Sequence, residues 1–492
     1  MKKIIGAIAI VLCMAISCKN NYTKGSDYVK WGDKYFEQVM GDVFETSGNK
    51  VTYEEAASVK GIMRIHMEEE GEYKEKIRVD LWNTSVYKII DEPENPIENI
   101  KDLYYLKNLN YLEIADGHFS GAEVFKELTQ LKTLIFMGNH IDEELIEHIS
   151  QNSSIMTLSI PIAEVDYSSL SQMTGLKEVI LTITNYGCDI NYDSLLSLPK
   201  ENCLLDLSCI NHEELSSVLY TMLKTHTNIS KIGMIHVGND QDISFLGNMK
   251  YMDSLSIAGS PDFAGISEMT WLKELTVWGH IELSNLTNLT NLESLELNEG
   301  NLQNGEFPNA LSLDALGKHK RLKRLELYGY VMEDLDGIEA YPGLQVFICR
   351  SCLLENITPI RSLCQLEYLD LSNNLITDID ALANLKSIKR ISLDENEIRD
   401  ISPLKNCINL EFLCLDGNFI SDISPLSDLP NLVELQIQMN DSDTKNRVDL
   451  NRWRKTLLSL PKLKYYAGGV RDDEWIDNNL PNLIRGRSDM VQ

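Results

Sequence analysis

Between residues 322 and 440 the apolar side chains fall into one recurring pattern. Leu366, Leu369 and Leu371 are followed by Asn374, and the same spacing returns at Ile388, Ile391, Leu393 and Asn396. It returns again at Leu410, Leu413, Leu415 and Asn418, and at Leu432, Leu435, Ile437 and Asn440, each set 22 residues after the last. Two looser copies keep the step, Leu344-Phe347-Cys349-Cys352 and Leu322-Leu325-Leu327-Tyr330. Alternation in the middle of each set has the period of a strand. The second half of each unit has a period of three, as in Ile376-Ile379-Leu382-Leu385, Ile398-Ile401-Leu404-Cys407 and Ile420-Ile423-Leu426-Leu429. That period matches a 3₁₀ helix. Each unit is therefore predicted to be a short strand, a turn, a 3₁₀ return and a second turn. Pro403 and Pro425 suit a return that needs no long helix.

One such unit cannot bury its apolar stripe alone. Stacked units cover each other, and stability becomes roughly a sum of neighbour terms. The carboxamides of Asn374, Asn396, Asn418 and Asn440 can both donate to and accept from backbone groups that a turn leaves unpaired, which predicts a hydrogen-bonded ladder along the stack.

On these residues the chain resembles the leucine-rich-repeat family, and within it the 22-residue class of the internalins. The resemblance implies an α/β solenoid, a right-handed horseshoe with a parallel concave β-sheet, 3₁₀ and short helices on the convex side, and a helical amino-terminal cap. Upstream the signatures continue with steps of about 20 to 30 residues, among them Leu109-Leu112-Ile114, Leu131-Leu134-Phe136-Asn139, Leu176-Val179-Leu181 and Leu292-Leu295-Leu297. The amphipathic run from His212 to Thr227 predicts a true helix on the convex side. The array is placed at 59–440, about 15 units in all.

An open stack exposes its core, so both ends need covers. Tyr35, Phe36, Val39, Met40, Val43 and Phe44 form one helical face, and Thr52 with Glu55 forms a capping box ahead of a second short helix. Residues 29–58 are read as a helical cap resembling that of internalin-type proteins. Residues 441–492 are read as the closing cap, with a helix from Asp449 to Leu460 and a tail that breaks the period. Residues 68–96 fit the template poorly.

The amino terminus adds a separate element. Lys2 and Lys3 precede an apolar run from Ile4 to Ile16, shorter than the roughly 20 residues of a spanning helix, so residues 1–17 read as a secretory leader. Ala15-Ile16-Ser17-Cys18 resembles the lipobox of bacterial lipoproteins, although Ala15 stands where Leu is usual. The resemblance implies cleavage before Cys18, a lipid on that cysteine and an exported, envelope or cell-surface location, with residues 18–28 as a polar tether.

Net charge is −29, and loss of the leader makes the chain two units more negative. Such a surface repels phosphate backbones, which excludes nucleic acid as a partner. Catalytic motifs are not found: no phosphate-binding glycine loop, zinc-ligand helix or nucleophile elbow stands in a fitting context. No enzyme activity, metal or cofactor is expected, and the chain is expected to be a monomer. Cys349 and Cys352 take a core position and the Asn position of the repeat, Cys407 takes a core position, and Cys203 and Cys209 are expected to stay unpaired. Cys414 lies between Leu413 and Leu415 and is expected to face solvent as the most reactive thiol. Asp378, Asp380, Asp400, Asp422 and Asp428 are read as turn residues rather than calcium ligands. Asn285 and Asn288 match a glycosylation sequon that carries little weight.

Strand side chains alternate, so the positions between the core leucines project from the concave sheet. In the carboxyl-terminal half these include Trp278, Arg324, Tyr328, Ile348, Arg350, Tyr368, Arg390 and Phe412. They form an expected binding band about 30 Å long at a strand spacing of about 4.8 Å. Glu296, Glu326, Asp370, Asp394 and Asp416 flank it. Aromatic and arginine side chains dominate interface energetics, which points to a protein or peptide ligand. Glycan or peptidoglycan binding, or service as a non-catalytic accessory to a surface enzyme, are the alternatives.

Overall fold

The computed structural model describes residues 10–12, 29–32, 34–46, 50–69, 72–81, 87–91, 99–114, 119–137, 141–183, 192–210, 213–214, 216–239, 241–299, 311–332, 334–437, 450–468, 479–480 and 482–485. Cys18 and Asn440 lie outside them. The chain divides into two units, Met1–Ile235 and His236–Gln492.

In the second unit the strands Ser254–Ala258, Glu274–Trp278, Ser294–Asn298, Arg324–Tyr328, Val346–Arg350, Tyr368–Asp370, Arg390–Ser392, Phe412–Cys414 and Glu434–Ile437 pair in parallel, each with the next. Register follows the repeat: Leu325 stands opposite Phe347, Leu369 opposite Ile391, and Ile391 opposite Leu413. The inward leucines and isoleucines of strand and return are buried throughout. Between the strands run 3₁₀ returns at Thr358–Ser362, Asp380–Asn384, Ser402–Asn406 and Ser424–Asp428. Pro359, Pro403 and Pro425 sit in their first turns, where the missing N–H costs nothing. Asp378, Asp400 and Asp422 precede the returns as expected of turn residues, whereas Asp380 opens one return and Asp428 closes another. Asp378, Asp400 and Asp422 each accept from the backbone N–H two residues on, at 2.8 Å.

The asparagine ladder forms at the three described positions. Asn396 Oδ1 accepts from Ile376 N at 3.0 Å while its Nδ2 donates to Leu371 O at 2.9 Å, tying its own unit to the one before. Asn374 and Asn418 repeat the arrangement. Cys352, at the asparagine position, points its thiol at Leu327 O and Arg350 O, the places where Asn374 puts its amide on the next unit. The residue before this position needs a left-handed backbone. Gly329, Ser351, Asn373, Glu395 and Gly417 occupy it in turn, all at φ between 53° and 75°. Only glycine does so without a Cβ penalty.

One side of the sheet carries a charge ladder at the residue just before each strand. Asp253, Lys273, Glu293 and Lys323 alternate in sign over four successive units, and Glu367 and Lys389 continue the pattern further on. Lys273 meets Asp253 at 2.8 Å, Lys323 meets Glu293 at 2.6 Å and Lys389 meets Glu367 at 2.6 Å.

In the first unit the parallel stack runs through Leu109–Ile114, Thr133–Phe136, Thr157–Pro161, Glu178–Thr182, Leu204–Leu207 and Ile229–Ile232. Helices Glu143–Ser150 and Ser217–Thr225 replace 3₁₀ returns in two units. The second lies inside the run from which a helix is predicted; the first is not anticipated. Asp142 caps the first, accepting from Leu145 N at 2.8 Å. At the amino-terminal end helix Lys34–Val43 buries Val39, Met40 and Val43. The predicted capping box is present, Thr52 N donating to Glu55 Oε2 at 2.8 Å and Glu55 N to Thr52 Oγ1 at 3.1 Å.

Two boundaries differ from expectation. Residues 59–91, placed within the array, form antiparallel strands at Val59–Glu69, Glu72–Leu81 and Tyr87–Asp91, and the parallel stack begins only at Leu109. Long strands separated by two residues favour a hairpin over a return, which accounts for the poor fit of this segment. At the other end helix Leu450–Ser459 matches expectation, but the sheet does not stop at 440. Tyr465–Gly468 and Ile484–Arg485 continue it in parallel, so the closing cap is itself part of the sheet. Ile10–Leu12, inside the expected leader, adds a three-residue strand between Leu109–Ile114 and Val59–Glu69, and cleavage before Cys18 would take it out of that sheet.

Candidate functional site

Three rows of side chains cross the concave face of the second unit, set by the strand register. The row that follows the core leucines reads Trp278, Asn298, Tyr328 and Arg350 on four adjacent strands. At a strand spacing of about 4.8 Å it extends about 14 Å. A carboxylate on the same face holds each large member. Trp278 Nε1 donates to Glu296 Oε1 at 3.0 Å, and Tyr328 Oη to Glu326 Oε2 at 2.5 Å. Arg324 also donates to Glu326. Arg350 forms a two-pronged pair with Asp370, one prong at 2.8 Å through Nε.

Asp370 is 0% exposed and also accepts from Ser372 N and Oγ, so its charge is compensated from three sides. Holding that charge raises the pKa of Arg350 above its ordinary value. Burial, then the hydrogen bond to Glu326, pushes up the Tyr328 phenol. Both groups are locked in one ionisation state at neutral pH. Side chains fixed in this way lose little entropy when a partner docks.

The sequence-predicted band is only partly available. Trp278 is 43% exposed, Arg324 and Arg350 are exposed, and Tyr328, Tyr368 and Arg390 are half-buried. Ile348 and Phe412, expected to contact a ligand, are each 4% exposed and are removed from the candidate set. Ile348 stands between the register partners Glu326 and Asp370, and the Arg390 guanidinium lies over the Phe412 ring, 4.5 Å from its centre. Projection toward the concave side does not guarantee solvent where long neighbours fold across a flat sheet. The same packing corrects Cys414, which is 5% exposed with its thiol directed at Gln436 Oε1. Among the described cysteines Cys364 is the exposed one, and Cys203, Cys209, Cys349, Cys352 and Cys407 are free and covered wholly or in part. Burial raises the Cys203 and Cys407 thiols to about 11 and Cys209 to about 12, which keeps them protonated.

Glu434 and Gln436 were not singled out from the sequence. Both are buried on the concave side, Gln436 Nε2 donating to Glu434 Oε1 at 2.6 Å. Their alternation with Leu435 and Ile437 was the signal available. Among the described residues no group of three or more His, Cys, Asp or Glu is placed to hold a metal ion.

A family model described as leucine-rich repeats in two copies matches residues 342–384 and 364–406, the stretch with the strictest period. The chain is a leucine-rich-repeat solenoid. Its fold resembles that of internalin-type proteins of bacteria. An internalin, inlF, from Listeria monocytogenes is 17% identical, the match covering 84% of this chain and 96% of that one at a TM-score of 0.44. Internalin C2 from the same species is 26% identical over 45% of this chain and 87% of its own, with a TM-score of 0.32. A leucine-rich-repeat protein from Leptospira interrogans is 16% identical over 78% of this chain and 92% of its own, with a TM-score of 0.43. No curated protein sequence matches the chain. Solenoids of this class are typically non-catalytic scaffolds with a concave face suited to binding protein.

Proposed function

We propose that this chain is an exported protein, tethered to a membrane by a lipid on Cys18, and that the concave face of its second unit binds a protein or peptide. The observation that carries the binding reading is the row Trp278, Asn298, Tyr328 and Arg350, whose large members are each held by a carboxylate on the same face. Anchors of these residue types carry most interface energy when they need no reorganisation to bind. The anchor reading rests on the short apolar run and the Ala15-Ile16-Ser17-Cys18 motif.

A pull-down with crosslinking on the full chain identifies the partner. Trp278→Ala with Tyr328→Ala is then expected to weaken its affinity at least tenfold, about 1.4 kcal/mol or more, with the circular dichroism spectrum unchanged. Affinity equal to wild type would remove this face from consideration. Glycan binding is the second reading, favoured by the open indole of Trp278, and a glycan array separates the two. Cys18→Ala is expected to move the protein from the membrane to the soluble fraction, and mass spectrometry of the amino-terminal peptide reads the lipid directly.

A further inference from the structure

The concave row does not stop at Arg350. Gly329 N donates to Arg350 O at 3.0 Å, and the same bond recurs from Ser351 N to Ser372 O at 3.2 Å, from Asn373 N to Asp394 O at 2.8 Å and from Glu395 N to Asp416 O at 2.8 Å. Ser372, Asp394 and Asp416 therefore continue the line that begins at Trp278. Its chemistry changes on the way. One end offers the open indole of Trp278 and the half-buried ring of Tyr328. The other offers carboxylates: Asp394 is half-buried, and Glu395 beside it is exposed, lying against Gly417, where a Cβ would fall 2.6 Å from its Oε1. Charge along this face has one sign. Toward the Trp278 end Asp253 and Glu293 cancel Lys273 and Lys323, which leaves Glu274, Glu296, Glu299 and Glu326 against Arg324 and, when protonated, His280. Further on Glu367 is paired with Lys389 and Asp370 with Arg350. The balance there is Asp394, Glu395, Glu411, Asp416 and Glu434 against Arg390, with Lys464 the next cation, one strand beyond.

We propose that the partner presents an extended, cationic segment to this face, with an aromatic or apolar side chain at the Trp278 end and lysine or arginine at the Asp394–Glu395 end; the inference rests on the concave-face reading above. A face of one sign selects the opposite charge and repels an acidic or phosphate-bearing segment along its whole length. From Trp278 to Asp394 the row takes five strand steps, about 24 Å, the length of about seven residues of extended chain. Side chains of such a segment alternate, so every second one turns to the face. The two ends do different work. The aromatic end supplies the anchor, where burial of a ring sets how long the complex lasts. The carboxylate end stays hydrated, so its attraction acts on encounter, on orientation and on the response to salt more than on final affinity.

The test pans a phage-displayed library of random peptides on the immobilised full chain at low salt. Enriched sequences are expected to combine lysine or arginine with an aromatic residue and, made as synthetic peptides, to bind less tightly as salt rises. Asp394→Asn with Glu395→Gln should weaken that binding about fivefold at low salt. Glu339→Gln with Asp428→Asn, exposed carboxylates of the convex returns, should leave it unchanged. Glu395→Gln alone reads the same charge if the double variant fails to fold. Enrichment of neutral or acidic sequences, or of none, overturns the inference. So does an equal loss in the convex pair, which would show attraction to the acidic chain at large, or binding indifferent to Asp394 and Glu395. Peptides that still depend on Trp278 and Tyr328 in those cases leave the concave-face reading standing; peptides indifferent to all four residues remove both.

Discussion

The two units stack the same kind of strand by different means. In the second, the step of 22 residues lets one side-chain type do one task at each level, so Asn374, Asn396 and Asn418 tie the turn after the strand in the same way. In the first, unit lengths vary and the described ties fall at the other turn. Asn152 Nδ2 donates to Phe125 O and Leu128 O, and Asn228 Nδ2 to Pro199 O and Cys203 O, each just ahead of its strand. The concave rows differ too. Register in the first unit lines up Tyr111, Thr133, Thr157, Glu178 and Leu204, with a single aromatic and no arginine, where the same repeat position in the second unit holds Arg324, Tyr368 and Arg390. The row Trp278, Asn298, Tyr328 and Arg350 crosses steps of 20, 30 and 22 residues, so strand register, rather than a strict period, brings side chains into rows that a partner can read.

The largest expected effect breaks that comparison at its root. Asn396→Leu removes an acceptor for Ile376 N and a donor to Leu371 O in a dry turn, and should cost about 2–3 kcal/mol in urea unfolding. Asn152→Leu should cost a similar amount, because it too takes a donor from two buried carbonyls, Phe125 O and Leu128 O, and an acceptor from Ser154 N. A near-zero cost at Asn152 alone would show that the first unit satisfies its turns with water. Next in size, Glu395→Gly relieves a left-handed backbone position and should stabilise by about 0.5–1 kcal/mol, whereas Gly417→Ala should destabilise. Lys389→Glu sets like charges against Glu367 and should lower Tm slightly, an effect that 1 M salt erases.

The smallest effect is read through pH. His280 Nδ1 lies 2.9 Å from Glu299 Oε1 and Nε2 lies 3.7 Å from Glu282 Oε1. The Glu299 hydrogen bond raises its pKa above 6.5, against the opposing effect of partial burial. A raised folded-state pKa gives stabilisation that is complete below the unfolded value, near 6.5, and is lost as pH rises through the folded one. The Tm difference between wild type and His280→Gln should therefore be larger at pH 5.5 than at pH 8.5. A difference independent of pH would assign His280 a packing role only.

Much of this fold was legible from the sequence because its signals are local and repeated. The strand of each regular unit, the 3₁₀ return and the asparagine ladder follow from spacing alone. What escaped depends on neighbours in space. Ile348 and Phe412 occupy the right face, yet the sequence carries no sign that Arg390 lies across Phe412 or that carboxylates crowd Ile348. Cys414 follows the same rule. The hairpin at 59–81 is hidden for another reason: its strands pair antiparallel across a two-residue turn, and a repeat period carries no sign of that pairing. Strands beyond 440 were missed because the helix Leu450–Ser459 lengthens one unit and shifts the step.

The alternation of Asp253, Lys273, Glu293 and Lys323 has a consequence for how such a chain can change in length. Repeat arrays evolve by losing or duplicating whole modules. Here deletion of one module would seat carboxylate on carboxylate or ammonium on ammonium at the new junction, whereas deletion of two restores opposite signs. Each mismatch is small at an exposed site, but it biases this stretch toward growing and shrinking by even numbers.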